Sequence, residues 1–173
     1  IKDQTVTFSA SSGLLVASAD KTDASGTLTA TLSTGGDPAN RDINLTATSG
    51  GVSSTNMVTV SGTTVQVSGT NSLVYSGNTE LTINVKDSSG TSIPKAQVNI
   101  SSALGNTFNT SSVVADGAGQ AKVVVTGSKS GDDVLTVSAL GADKTHKLTV
   151  SASDFQFTQP SSGAHVSIGA SKS

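Results

Sequence analysis

The sequence predicts an all-β protein built from tandem two-sheet sandwiches, and three observations predict it. Apolar and polar residues alternate in short runs, as in Leu81, Ile83 and Val85 against Thr82, Asn84 and Lys86; this period of two marks a strand with one buried face. The polar residues are dominated by Ser, Thr, Gly and Asn, which suit short strands and turns, while the helix-favouring Glu, Leu, Lys and Met are scarce. The chain also repeats itself over 90 residues, counted from Val60 to Val150, a period that fits a whole domain and not a solenoid coil.

The clearest element is Leu81 to Ser101, two strands joined by the polar break Asp87-Ser88-Ser89-Gly90, with Pro94 at the start of the second strand, where its missing N–H does least harm. Part of this stretch recurs at the start of the chain, where Ile1, Val6 and Phe8 fall on Ile93, Val98 and Ile100. Downstream, Thr22 to Leu28 lines up with Ala115 to Ala121, each an Asp-x-x-Gly turn opening a strand. Further on, Ile43 to Ala47 lines up with Leu135 to Ala139, and Met57 to Gly62 with Lys147 to Ala152.

In chain order, a first unit over residues 1–62 has expected strands at Thr5 to Ala10, Leu14 to Ala17, Gly26 to Ser33, Ile43 to Thr48 and Met57 to Ser61, with turns at Gly35-Gly36-Asp37-Pro38 and Gly50-Gly51. It has no counterpart of Thr64 to Ser92 and so reads as incomplete. A complete second unit over residues 63–152 has expected strands at Val65 to Val67, Leu73 to Tyr75, Glu80 to Lys86, Ala96 to Ser101, Val113-Val114, Gln120 to Thr126, Asp133 to Ala139 and His146 to Ser151, the spacing of a sandwich. Alternation points Ile83, Val85, Val98, Ile100, Ala121, Val123, Val125, Leu135, Val137, Leu148 and Val150 inward. Residues 153–173 read as the opening strands of a third unit, with Phe155 and Phe157 in the places of Val65 and Val67. The junctions between units are only a few residues long, which predicts a stiff rod.

Composition excludes several partners. A net charge of -2 and 3% aromatic residues supply neither the basic surface nor the stacking platforms that nucleic acid requires. No apolar run reaches the length of a membrane span, and no signal peptide opens the chain, so the expectation is either a soluble cytosolic protein or a segment of a longer exported one. The absence of cysteine does not decide between them.

The order of Val85 to Ile100, the Asp-Gly-Ala-Gly-Gln-Ala turn and strand from Asp116 to Ala121, and the alternating strand Leu135 to Ala139 resembles the group 1 bacterial Ig-like domains of intimin- and invasin-type adhesins. The resemblance covers residues 63–152 fully and residues 1–62 in their later strands. It implies tandem immunoglobulin-like β-sandwich domains, an extracellular location at the bacterial cell surface, neighbouring Ig-like repeats as partners, and a role in spacing a binding tip from the cell. No lectin-like cap or membrane barrel is among these residues, so tip chemistry and anchoring do not carry over.

Catalysis is not expected. The two histidines, His146 and His165, read as surface residues. Asp132-Asp133 with Asp143, and Asp37 with Asp42, are too sparse for the six to eight oxygens of a calcium site, so neither a metal nor another cofactor is expected. Asp23 and Asp116 are expected to accept hydrogen bonds from their own turns. The glycosylation patterns at Asn44, Asn99 and Asn109 read as chance matches. Two functions stay open: a passive structural spacer, and a filament subunit in which the tail, through Phe155 and Phe157, completes a groove lined by Val6, Phe8, Leu28 and Leu45 in another copy. A glycan- or protein-binding module would have only Tyr75, Phe8 and Phe108 to use.

Overall fold

The computed structural model describes residues 1–152, and every described element is a strand or a turn. The first strands are β1 (Thr7–Ala10), β2 (Leu14–Ala17), β3 (Ala30–Ser33), β4 (Arg41–Ser49) and β5 (Val52–Val60). They form a sheet of order β1-β4-β5 and a facing pair, β2-β3. The turn between β4 and β5 is Gly50-Gly51, both residues at positive φ (57° and 80°), the backbone that a two-residue hairpin demands and that glycine adopts without strain.

The remaining strands are β6 (Thr64–Ser68), β7 (Ser72–Val74), β8 (Asn78–Lys86), β9 (Gln97–Ser102), β10 (Thr107–Phe108), β11 (Ser112–Val114), β12 (Gln120–Thr126), β13 (Gly131–Ala139) and β14 (Ala142–Ser151). One sheet runs β10-β12-β8-β6 and the other β11-β9-β13-β14-β7, antiparallel throughout except for β7 beside β14. The fold is all-β, and all eleven side chains expected to point inward in the second unit are buried. They form one cluster that holds every buried hydrophobic residue described except Ile43.

The Asp-x-x-Gly turns obey one rule. The Oδ1 of Asp23 accepts from the N–H groups of Ser25 and Thr27 (2.9 and 2.8 Å), that of Asp116 from Ala118 and Gln120 (2.8 and 2.9 Å), and that of Asp87 from Ser89 and Thr91 (2.8 and 2.9 Å). The short acid side chain satisfies two backbone donors that the turn would otherwise leave to solvent.

The strands of residues 1–62 depart from expectation where a neighbour is missing. The run expected from Gly26 to Ser33 is a strand only from Ala30, because β3 pairs with β2 alone, whereas β12 has both β10 and β8. Hairpin register also shifts one part of the repeat. Ile43 lies opposite Val58 and Asp133 lies opposite Leu148, so Ile43 corresponds to Asp133 and not to Leu135.

Candidate functional site

The two sets of sheets meet at a joint built around Asn40. Arg41 holds the preceding loop: its Nη1 donates to the Ala39 carbonyl (2.8 Å) and lies 3.1 Å from Asp37 Oδ2, its Nη2 donates to the Thr34 carbonyl (3.1 Å), and its Nε donates to Ser12 Oγ (2.6 Å). A guanidinium with several planar donors suits this role, since it binds several acceptors at once. Asn40, fixed by that loop, reaches in two directions. Its Nδ2 donates to the Thr63 carbonyl (2.9 Å) and its Oδ1 accepts from the Thr63 N–H (3.0 Å), so its amide pairs with the connector as a strand would. Its backbone N–H donates to the Leu140 carbonyl (2.8 Å), at the tip of the β13–β14 hairpin. Thr63 is buried, and its hydroxyl donates to the Pro38 carbonyl.

The hairpin tip fits closely. Gly141 has φ +72°, and a Cβ there would stand 2.3 Å from the Asn40 carbonyl oxygen, a separation no side chain tolerates. In the equivalent turn of β4–β5, a Cβ placed on Gly50 or Gly51 would meet nothing within 4 Å beyond its chain neighbours. Sequence reading found the Gly35 to Pro38 turn and the short connector but missed Asn40, Arg41 and Gly141, whose roles are side-chain-to-backbone contacts that leave no periodic trace.

The second feature is an open groove of about 270 Å³ between β2-β3 and β4-β5, lined by Phe8, Leu15, Ala30, Leu32, Leu45 and Ala47 with Ser54 and Asn56 at one side. Phe8 and Leu45 of the expected acceptor groove line it; Val6 and Leu28, both half-buried, do not. Phe155, Phe157 and His165 lie outside the described residues. Nearby, Leu14 and Val16 are each 56% exposed.

The remaining candidates have structural partners. Asp133 is buried and accepts from Ser102 Oγ (2.6 Å), Leu104 N–H (2.9 Å) and Asn106 Nδ2 (2.8 Å). Burial alone pushes its carboxyl up, but these bonds and one from the Val134 N–H outweigh that and hold it below the usual carboxylate range. Asp132 accepts from Thr149 Oγ1 (2.8 Å), while Asp143 stands at the far end of the same hairpin, opposite Ser138, so the three acids do not converge. Asp37 pairs with Arg41 and Asp42 accepts from Thr59 Oγ1 (2.7 Å). No group of three or more potential ligands lies together among the described residues. His146, expected at the surface, is half-buried, its Nε2 3.0 Å from the Thr70 carbonyl oxygen. Asn99 accepts from Ser112 Oγ (2.7 Å) and Asn109 from the Val124 N–H (2.8 Å), so the amides of two of the three glycosylation patterns already serve the fold.

No protein-family pattern matches the chain, and no curated protein matches it. Solved structures do. The adhesin InvE of Yersinia pseudotuberculosis superimposes with a TM-score of 0.50 and 20% identity, over 87% of this chain and 49% of that one. The fold is that of bacterial Ig-like domains of intimin- and invasin-type adhesins. The chain thus spans about half the length of the InvE structure. Weaker superpositions are found with the D0-D1 domain of intimin (TM-score 0.43, 18% identity, 86% of this chain and 83% of that one) and domains 4 and 5 of the S-layer protein SbsC (0.42, 17%, 85% and 70%).

Proposed function

We propose that this chain is a structural module of a bacterial cell-surface adhesin or extracellular stalk, acting as a stiff spacer made of residues 1–62, an Ig-like unit lacking its first strands, and residues 63–152, a complete one. The observation that carries this reading is the Asn40 joint. A flexible connector would leave Thr63 solvated and the hairpin tip free, whereas here connector, loop and tip are bonded to one another. The function is then geometric: each unit adds length, and the joint keeps its neighbour in line. Extracellular placement at the bacterial cell surface is part of this reading, and no catalytic role is assigned to any residue.

The test is a distance distribution. The chain has no cysteine, so spin labels placed through Met57→Cys and Val114→Cys, both exposed positions in different units, report the joint alone. A narrow distribution in the parent is expected, with clear broadening on Asn40→Ala or Gly141→Ala. A parent distribution as broad as that of the variants overturns the spacer reading.

A second reading, a filament subunit joined by donation of the C-terminal strand, is favoured by one observation, the open apolar groove beside β3.

A further inference from the structure

The loop that leads into β4 faces two ways. On one side the carbonyls of Asp37 and Ala39 accept from Arg41 Nη1 (3.3 and 2.8 Å). On the other side the Pro38 carbonyl accepts from the Thr63 hydroxyl, and the Asn40 carbonyl meets the tip glycine, Gly141. The alternation means that fixing the first pair fixes the second, because adjoining planar peptides are coupled through only two soft dihedrals per residue.

Arg41 fixes the first pair with a complete set of contacts. Its guanidinium meets five oxygens of its own unit: the carbonyls of Thr34, Asp37 and Ala39, the Asp37 carboxylate and the Ser12 hydroxyl. Carboxylate and backbone carbonyl oxygens gathered around one point are the donors that a hard metal ion collects, and with no positive charge between them they repel one another. Here the charge belongs to the chain. The Arg41 side chain is only 17% exposed, and its planar fork of five N–H donors can serve several acceptors at once. The loop is shaped to receive it. Gly35 and Gly36 take positive φ (68° and 85°) and turn the chain back on itself, while Asp37 Oδ1 accepts from the Ala39 N–H (2.9 Å) and so aims Oδ2 at the guanidinium.

The second sandwich shows that the fold by itself needs no cation here. Arg41 lies opposite Val60 as Gly131 lies opposite Val150, so a glycine stands in the arginine's place. The loop ahead of that glycine is held by a neutral amide instead, the Lys129 N–H donating to Asn106 Oδ1 (2.8 Å). The arginine is found on the loop that carries Asn40 to the joint.

We infer that Arg41 is the resident cation of the joint, a positioning residue whose guanidinium gathers Ser12, Thr34, Asp37 and Ala39 and thereby aims Pro38 and Asn40 at the second sandwich. The angle between the units is then set by a charge within the chain and needs no metal ion from solution. This rests on the spacer reading and adds to it the residue that sets the angle.

The experiment uses the full-length chain with spin labels at Met57→Cys and Val114→Cys, in calcium chloride and again in a chelator. The parent distance distribution is expected to be narrow and the same in both. Arg41→Ala is expected to about double its width, and millimolar guanidinium, which fits the vacated cradle, is expected to narrow it again where sodium at equal ionic strength does not. Arg41→Lys is expected to fall between the two, because an ammonium is a point charge and cannot fork. An Arg41→Ala distribution as narrow as the parent's overturns this inference and leaves the spacer reading standing, as does a parent that broadens in chelator or a broadened variant that guanidinium leaves broad. A parent that is broad from the outset overturns the spacer reading itself. If circular dichroism shows that Arg41→Ala has lost its first sheet, Arg41→Lys decides: a distribution as narrow as the parent's overturns the inference, and a broader one that guanidinium leaves unchanged, its cradle being filled, supports it.

Discussion

The two halves of the molecule use the same strands to different ends. Val58 and Leu148 occupy equivalent places, opposite Ile43 and Asp133, yet Val58 is 36% exposed and Leu148 1%. Leu45 is half-buried where Leu135 is fully buried, and Ala30 is exposed where Val123 is fully buried. The difference lies in what covers them: among the described residues, β6, β7 and β8 have no counterpart beside β1 to β5. Alternation tells which face of a strand is apolar; a core forms only when another layer removes that face from water.

The largest effect that sharpens this contrast is a charge placed at equivalent positions. Val123→Asp puts an unpaired carboxylate into a dry core and is expected to abolish cooperative unfolding of residues 63–152 by calorimetry, while Ala30→Asp changes stability by no more than about 0.5 kcal/mol, as exposed substitutions do. Equal damage from both would mean that the groove is covered in solution. A smaller effect separates Leu135→Ala, expected to cost about 2 to 5 kcal/mol in denaturant unfolding, from Leu45→Ala, expected to cost less than half as much because part of the side chain already meets solvent.

The smallest effect concerns acid. Residues 1–62 place apolar Ile43 where residues 63–152 place Asp133. The folded state holds the Asp133 carboxyl below its ordinary value, so its contribution is complete above the unfolded carboxylate pKa of about 3.9 and is lost as pH falls through the lower folded value. Melting curves between pH 5 and 2 should steepen in that window for the parent and flatten for Asp133→Asn. At pH 7 that variant is expected to be less stable by about 1 to 3 kcal/mol, because an amide cannot accept from every donor that surrounds the acid. A parent and variant with parallel pH profiles would remove Asp133 from the acid response.

Much of this fold was legible in the sequence. The inward faces of β8, β9, β12, β13 and β14 follow from period-two alternation, and Asp23 and Asp116 sit in the turns that their spacing announced. β10 escaped notice because two residues, Thr107 and Phe108, cannot display a period. The register shift that brings Ile43 to the place of Asp133 was hidden because Leu-Thr-Ala and Val-Ser-Ala look alike whichever way they are slid by two. The joint was illegible for a different reason. Asn40 acts through one amide and one N–H, and Gly141 through the space it leaves empty, so neither alters hydropathy or spacing. Phe8 and Leu45 could be singled out from the sequence because they lie in the alternating strands β1 and β4; Leu15, Ala30 and Leu32, which line the same open groove, come from the facing pair, whose approach only the folded chain reveals.

The parallel pairing of β7 with β14 has a mechanical consequence. β7 lies near the start of the second sandwich and β14 ends it, and Ser72, Leu73 and Val74 run alongside Thr149, Val150 and Ser151 in the same direction. A pull on the two ends of this sandwich slides these strands along each other instead of peeling them apart, so the rungs of the ladder bear the load together and must fail together. Resistance to tension is a matter of unfolding rate and not of equilibrium stability, so three short rungs in shear raise the barrier to unfolding by force along the sandwich's own axis without adding to its equilibrium stability.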